Sequence, residues 1–338
     1  MKSTLLLLSL LLLLFLVSAC SSSTKQNEVV VYTSVDQHYS EPILMAFEKE
    51  TGIAVRIAFD VEASKTTGLV NRLIAEQKHP KADVFWNGEF VQTVRLASQG
   101  ILARYKAPST DQSYWSDSQN RWSTFGGRLR VLISNKEKIT ASSLPKSLND
   151  FLNPKYPADK IGIALPLFGT TATHAAALWA QMGEANTSKF FHNLQERGVS
   201  FVNGNSVVRD AVSSGQLWFG LTDSDDACAA VAKGKPITIT YLNQSPDNIG
   251  TLVIPNTVAL IAGGPNPENG RRLIEYLLSH KTKKRLIELG WFHIYDGHIT
   301  TTTECPLPSP VHMQNISPSK IVESLEPSQN YLRKLLLR

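Results

Sequence analysis

A glycine and three threonines stand where a helix is predicted to begin. The segment Phe168-Gly169-Thr170-Thr171-Ala172-Thr173 follows a predicted strand, residues 161–164, and precedes an alanine-rich helix. The first N–H groups of a helix have no intrahelical acceptor and carry the positive end of its dipole, so this loop is a candidate anion site. The same groups suit a plain helix N-cap, and the residues leave both interpretations open. The anion-binding candidates are Gly169, Thr170, Thr171 and Thr173.

Two adjacent carboxylates, Asp225 and Asp226, follow another predicted strand, residues 217–222. Neighbouring carboxylates can act as general acid and base, which is the chemistry of a secreted hydrolase. The chain contains neither Gly-x-Ser-x-Gly nor His-Glu-x-x-His, so we expect no enzyme activity, no catalytic residue and no catalytic cofactor. Without any ligand, Asp225 can cap the following helix and Asp226 can favour its positive end.

Hydrophobic periodicity predicts alternating strands and helices in the first third of the chain. Residues 29–32 form a short apolar run typical of a strand buried on both faces, and a helix is predicted from Ser40 to Gly52. A strand, a helix and a strand follow at residues 55–59, 64–77 and 82–86. This β-α-β-α-β order indicates an α/β fold with a mostly parallel sheet.

The alternation returns after a polar, aromatic stretch. That stretch, residues 105–128, is interpreted as chain that crosses between two lobes, and residues 243–250 as a second crossing. The later predicted strands are residues 129–133, 161–164, 199–202, 217–222 and 237–241, with helices at 173–182, 188–196 and 206–214. We therefore predict two α/β lobes with more than one crossover and a ligand cleft between them. The predicted boundaries are 29–125 plus 250–300 for lobe 1, and 126–249 plus 301–338 for lobe 2.

The N-terminus has the pattern of an export signal. Residues 1–19 begin Met-Lys-Ser-Thr, continue with an apolar run and end in Val17-Ser18-Ala19. The run is shorter than the roughly 20 apolar residues that span a bilayer, and small residues stand where a signal peptide is cleaved. Cys20 then resembles the lipid-modified cysteine of bacterial lipoproteins, followed by a polar linker over residues 20–28. We expect a protein anchored by lipid at Cys20, in the periplasm or at the outer face of the cytoplasmic membrane.

Composition restricts the classes of partner. Hydrophobic residues make up 42% of the chain, which supports a substantial core, and the formal net charge is +5. That charge is too mild to predict nucleic-acid binding. We expect a monomer. Cys228 and Cys305 can pair in an oxidising compartment or remain two thiols, and their spacing does not decide between these alternatives.

Several segments of the chain resemble one protein family. They are Val31-Tyr32-Thr33-Ser34, Phe47-Glu48-Lys49-Glu50-Thr51-Gly52-Ile53, Gly68-Leu69-Val70-Asn71-Arg72-Leu73-Ile74-Ala75-Glu76, Ala82-Asp83-Val84-Phe85-Trp86 and Gly215-Gln216-Leu217-Trp218-Phe219-Gly220-Leu221-Thr222-Asp223. They resemble periplasmic substrate-binding proteins of ABC importers, extracellular solute-binding family 1, and within it the ferric-ion-binding and thiamine-binding group. The resemblance covers essentially the whole mature chain. It implies a type II periplasmic binding protein that presents a solute to a membrane permease and its ATPase.

The resemblance also implies a set of ligand residues. Ferric-binding relatives hold the metal with adjacent tyrosines after the strand that matches Gly220-Leu221-Thr222, where this chain has Asp225 and Asp226. Counting along the match places Asp36 in the first strand-to-helix loop and Glu89 near a carboxylate of the relatives. Carboxylates, like phenolates, are hard anionic oxygen donors, so these four residues form a candidate cation site. In relatives the loop that matches the threonine segment binds a synergistic anion or a ligand phosphate.

Further candidate ligand contacts stand at strand ends that face the presumed cleft. Trp86 can stack on an organic ligand or only wall the site, while Asn203 and Asn205 can donate hydrogen bonds or serve as turn residues. The full set is Ser34, Trp86, Asn87, Asn203 and Asn205.

The resemblance implies capture of ferric iron, or of an iron–anion complex, by closure of the two lobes. Because the tyrosine pair is replaced, two alternatives of the same class stay open. One is a phosphorylated organic solute such as a sugar phosphate or phosphoglycerate, and the other is thiamine. In each case the expected partners are an ABC-transporter permease with its ATPase, and the membrane through Cys20.

Overall fold

The computed structural model describes residues 27–60, 66–108, 115, 117–245, 248–295, 298–301, 305, 307 and 311–337. The strands are β1 (Glu28–Thr33), β2 (Ala54–Phe59), β3 (Val84–Asn87), β4 (Ser123–Asn135), β5 (Ile161–Ala164), β6 (Ser200–Val202), β7 (Phe219–Asp223), β8 (Ile237–Tyr241), β9 (Val253–Leu260), β10 (His293–Tyr295) and β11 (His298–Thr300). The α-helices are α1 (Gln37–Thr51), α2 (Thr67–Ala75), α3 (Val91–Ser98), α4 (Gly169–Met182), α5 (Glu184–Arg197), α6 (Asn205–Ser213), α7 (Ser224–Ala232), α8 (Pro267–Leu278), α9 (His280–Glu288) and α10 (Pro318–Leu336).

The first half of the main sheet has the strand order β2-β1-β3-β9. β1 is parallel to β2 and β3, and β9 is antiparallel to β3. The helix that joins β1 to β2 buries Ile43, Leu44 and Phe47 on one face, which is why its apolar residues recur at helical spacing. It ends at Gly52, whose left-handed backbone (φ 69°) lets its N–H bond the Glu48 carbonyl. This half of the sheet, with α1–α3, α8 and α9, is lobe 1.

The second half of the sheet is built on β5, which lies between β6 and β7 and is parallel to both. This half, comprising β5–β8 with α4–α7, is lobe 2. The 13-residue strand β4 joins the two lobes. It pairs with β9 as far as Leu129 and with β7 from Arg130 onward, antiparallel in both cases. The two lobes therefore share one continuous strand at their junction.

The C-terminal part of the chain returns from lobe 1 to lobe 2. Cys305 on this return segment forms a disulfide with Cys228 of α7, so the alternative that the sequence left open is a pair and not two thiols. The final helix α10 then packs on α4 and α5 of lobe 2 and on α3 of lobe 1. The disulfide and α10 thus attach the chain end to both sides of the junction.

The observed architecture agrees with the predicted two-lobed α/β fold, and the strands at 161–164 and 237–241 have the predicted bounds. The end of the stretch 105–128, interpreted as crossing chain, is part of a strand, since Ser123 begins β4. Strand β9 and helices α3, α8 and α10 were not predicted. The signal peptide and Cys20 lie outside the described residues. Among the described residues, no helix is both long enough and apolar enough to cross a membrane.

Candidate functional site

A pocket opens between the lobes at the carboxyl ends of the parallel strands. This is where ligands bind in open α/β sheets, because loops from neighbouring strands converge there. It contains about 420 Å³ of space, part of it open solvent. Lobe 1 contributes Ser34, Thr66 and Gly88, β4 contributes Arg128, and lobe 2 contributes Ala164, Leu165, Phe168, Gly169, Thr170, Thr171, Asn203, Gly204 and Asn205.

The N-terminus of α4 forms one wall of this pocket. Phe168 is extended, and Ala172 is the first residue whose N–H reaches back to a carbonyl, at 3.1 Å from the Phe168 oxygen. The N–H groups of residues 169–171 precede it and have no acceptor within the helix. They lie at the positive end of the helix dipole, so this wall is suited to an anion.

The threonine hydroxyls of this segment are already bonded to protein acceptors. Thr170 donates to an Asp223 carboxylate oxygen at 2.5 Å, and Thr171 donates to the Asn205 side-chain oxygen at 3.2 Å. Thr173 is 1% exposed, does not line the pocket and donates to Glu89 at 3.0 Å. The groups of the loop that remain for an anion are therefore its backbone N–H groups.

Two buried arginines, which the sequence analysis did not identify, lie on β4 beside this wall. Arg128 is 2% exposed and lines the pocket; its guanidinium is 3.3 Å from Asp225 and donates to the Asn256 side-chain oxygen at 3.2 Å. Burial disfavours the charged form of Arg128. The negative charges of Asp225 and Asp223 outweigh this effect and raise the pKa of Arg128 above its usual value. The hint in the sequence is Arg128-Leu129-Arg130, which stands directly before the apolar run Val131-Leu132-Ile133.

Arg130 is fully buried and holds the pocket loops together. Its guanidinium donates to Asp223 at 2.5 Å, to Asn205 at 3.1 Å and to the hydroxyls of Thr170 and Thr171 at 3.4 Å. Asp223 ends β7, while the other acceptors lie at the starts of α4 and α6, which follow β5 and β6. Arg130 therefore fixes these segments of lobe 2 relative to one another.

Three aspartates meet at the start of α7. Asp223, Asp225 and Asp226 are buried, and one ligand oxygen of each lies within 4.8 Å of the others. Asp223 was not predicted as a site residue. Each carboxylate faces an arginine: Asp223 pairs with Arg130, Asp225 with Arg128, and Asp226 with Arg209 at 3.0 Å. Three oxygen donors can hold a hard cation, but here arginines already offset the mutual repulsion of the carboxylates.

Asp36 and Tyr39 approach this aspartate group from lobe 1. Asp36 precedes α1, and its charge acts on Tyr39, Arg128 and Arg209. The Tyr39 hydroxyl donates to the backbone oxygen of Asp225 at 3.3 Å. Burial, and after it the charge of Asp225, raises the pKa of Tyr39 well above its usual value. The buried tyrosine therefore keeps its proton and is not a phenolate ligand as it stands.

Glu89 is buried beside the pocket but does not line it. Its carboxylate accepts the N–H groups of Val91 at 2.6 Å and Gln92 at 3.0 Å, which lie in the first turn of α3, as well as the Thr173 hydroxyl. Burial raises the pKa of Glu89, while the hydrogen bonds from Gln92 and Val91 act in the opposite direction. Glu89 was predicted to form a cation site with Asp36, Asp225 and Asp226, but among the described residues the carboxylates that come together are Asp223, Asp225 and Asp226.

The remaining predicted contacts divide into two groups. Ser34, Asn203 and Asn205 line the pocket, and Asn87 lies directly behind it, where it accepts a hydrogen bond from the Ser34 hydroxyl at 2.6 Å. Trp86 was predicted to face the cleft, and the structure corrects this. Successive residues of β3 point to opposite faces, so Trp86 is fully buried in the core of lobe 1 next to Phe125 and Trp291.

Residues 28–292 match the family model of bacterial extracellular solute-binding proteins. A major ferric iron-binding protein of Neisseria meningitidis is 24% identical over 284 residues, covering 81% of this chain and 83% of that protein. A putative 2-aminoethylphosphonate-binding periplasmic protein of Salmonella typhi is 26% identical over 264 residues, covering 77% and 74%. The crystal structure of iron-bound HitA from Pseudomonas aeruginosa superimposes with a TM-score of 0.80 at 21% identity, covering 91% of this chain and 99% of that one.

Proposed function

Because the chain belongs to the bacterial extracellular solute-binding protein family, we propose that it captures a small solute with a phosphate or phosphonate group for import. Members of this family are transport binding proteins, not enzymes, and they deliver small solutes to ABC-transporter permeases.

The charge of the pocket lining is the observation that carries the proposal. Among the described residues that line the pocket, Arg128 is the charged side chain, and no carboxylate is among them. The N-terminus of α4, with the N–H groups of residues 169–171, lines the same pocket as Arg128. A guanidinium and a helix N-terminus that face the same space favour an anion with several acceptor oxygens. The Salmonella relative, named for a phosphonate, supports this cargo class.

The proposed mechanism is closure of the lobes over the solute. Ser34 and Gly88 of lobe 1 face the α4 N-terminus and Asn203 of lobe 2 across the pocket. A solute that contacts both walls binds the closed form better than the open form and shifts the population toward closure.

Ferric iron with an anion is the second candidate. It is favoured by the group Asp223, Asp225 and Asp226, and by the ferric-binding names of relatives. Iron would have to replace the arginines that now pair with these carboxylates, and the predicted fourth ligand, Glu89, lies apart from them. No observation favours thiamine, since Trp86, the aromatic side chain predicted to stack on it, is in the core.

Thermal unfolding of residues 21–338 with defined probes tests the cargo. A ligand that binds only the native state stabilises it by about 2.7 kcal/mol at a hundred times its Kd. We expect 2-aminoethylphosphonate, a sugar phosphate or inorganic phosphate to raise the Tm, and Arg128→Gln to abolish that shift, measured against the variant's own unliganded Tm. Arg121→Gln, which removes a partly exposed ion pair with Asp117, is the matched control and should keep the shift.

Ferric citrate provides the opposing arm of this experiment. A Tm shift with ferric citrate alone, lost in Asp226→Asn and kept in Arg128→Gln, would replace the phosphate proposal with the iron candidate.

We also propose that the protein is periplasmic and anchored to the membrane by lipid. Several relatives are periplasmic proteins by name, and the N-terminal sequence supports an anchor of lipid on Cys20 that keeps a monomeric receptor close to its permease and ATPase. Mass spectrometry of the membrane fraction should show acylated Cys20, and Cys20→Ala should release the protein from that fraction. Retention of Cys20→Ala in the membrane would rule out this anchor.

A further inference from the structure

One hydrogen bond between the lobes joins two residues that were predicted to touch the ligand. The Thr173 hydroxyl of α4 donates to the Glu89 carboxylate of lobe 1 at 3.0 Å, and both side chains are 1% exposed. The other acceptor near this hydroxyl, the Gly169 carbonyl within the same helix, is farther away at 3.4 Å. The interlobe bond is therefore the closer of the two.

Glu89 is held mainly by its own lobe. Besides Thr173, its carboxylate accepts the N–H groups of Val91 and Gln92 and the side-chain amide of Asn87 at 3.3 Å. These three donors belong to β3 and α3, so they persist whether the lobes are open or closed. The Thr173 hydroxyl is the one donor from lobe 2 among these four, so this is the bond that depends on how the lobes are placed.

In each lobe, the residue that makes this hydrogen bond is connected to the pocket. In lobe 1, Asn87 connects Glu89 to Ser34, which lines the pocket. In lobe 2, Thr173 lies in the first turns of α4, whose N-terminus forms the pocket wall that is suited to an anion. Around the bond, Ala172 and Ala176 of α4 share an apolar cluster with Phe90 of lobe 1, where small side chains let the helix approach.

We propose that Thr173 and Glu89 are positioning residues for cargo binding. Their hydrogen bond stabilises the closed arrangement and keeps the N-terminus of α4 close to lobe 1, while neither side chain touches the solute. This inference rests on the proposed function, because it concerns closure over a solute. A charge-assisted hydrogen bond that is lost on opening contributes about a tenfold change in the ratio of closed to open protein. Removing it should weaken cargo binding by the same factor, through faster dissociation.

The distance between two spin labels measures closure directly. Met45 of lobe 1 and Val207 of lobe 2 are 63% and 41% exposed, so cysteines at these positions accept labels, and the native disulfide does not compete. The measurement uses residues 21–338 over a series of inorganic phosphate concentrations that begins at zero. Thr173→Val removes the hydroxyl and keeps the shape, Thr173→Ser restores a hydroxyl, and Thr282→Val removes an equally buried hydroxyl far from the cleft in α9.

We expect Thr173→Val to have a smaller closed fraction at zero phosphate and to need about tenfold more phosphate for half closure. Thr173→Ser and Thr282→Val should follow the wild type. If Thr173→Val and the wild type have the same closed fraction at every concentration, the positioning role is wrong. If phosphate shifts neither protein but their closed fractions at zero phosphate still differ, the anion proposal fails and the positioning role stands. A wild type that is open throughout would overturn both.

Discussion

The ion pair between Arg130 and Asp223 gives the sharpest test of how lobe 2 is held together. The two side chains are 0% and 1% exposed, and their charged atoms lie 2.5 Å apart. Removing one partner of a buried pair leaves an uncompensated charge and costs about 3–5 kcal/mol. Arg130→Met should therefore lower the free energy of unfolding toward the lower end of that range, because Asp223 loses its nearest cationic partner and retains Arg128 at 3.7 Å.

The control is an ion pair of similar geometry in a more exposed place. Arg121 and Asp117 lie 2.7 Å apart, and the Arg121 side chain is 22% exposed, so Arg121→Met should cost about 1 kcal/mol or less. Both costs follow from urea unfolding monitored by circular dichroism. The double variant Arg130→Met with Asp223→Asn should be more stable than the sum of the single changes predicts, by about 2 kcal/mol. Additive single changes, or an Arg130→Met cost equal to that of Arg121→Met, would refute the argument.

Two further predictions concern the same lobe. The disulfide closes a loop with a sequence separation of 77 residues, so replacing both cysteines by serine should lower the free energy of unfolding by about 4.5 kcal/mol in the chain-entropy model; an equal midpoint of urea unfolding with and without the disulfide would contradict this. His174 on α4 is buried, and burial together with Arg130 holds its pKa well below the usual value. Below a pH of about 6.5 the unfolded chain then binds a proton that the folded protein does not. The free energy of unfolding should therefore fall by up to about 1.4 kcal/mol for each unit that the pH is lowered. His174→Leu should flatten that slope between pH of about 6.5 and 5. An unchanged slope would show that other groups cause the pH dependence.

Local sequence patterns were enough to predict the elements that carry the pocket. Strand β5 is a short apolar run with clear boundaries, and strand β8 alternates apolar residues with threonines. The helices between strands repeat their apolar residues every three or four positions. The loops that follow those strands had to lie at one edge of a parallel sheet. For this reason Ser34, Asn203, Asn205 and the start of α4 were found as pocket residues from the sequence.

Features that depend on distant partners were missed. Strand β9 contains Pro255 and Asn256 in a run that resembles a turn, and its pairing with β4 and β3 is contact between remote segments. Arg128 and Arg130 were not identified, since nothing local shows that aspartates of α7 and β7 will face them. Trp86 was misplaced because a shift of one residue at a strand end reverses the face of the sheet.

Strand β4 changes partners from β9 to β7 between Leu129 and Arg130, and Arg128 stands immediately before that change. The guanidinium proposed to bind the cargo therefore lies where β4 passes from one lobe to the other. Because the proposed cargo contact lies at the junction of the lobes, cargo affinity and the angle between the lobes should change together. A substitution that stiffens β4 far from the pocket would then appear as a change in affinity.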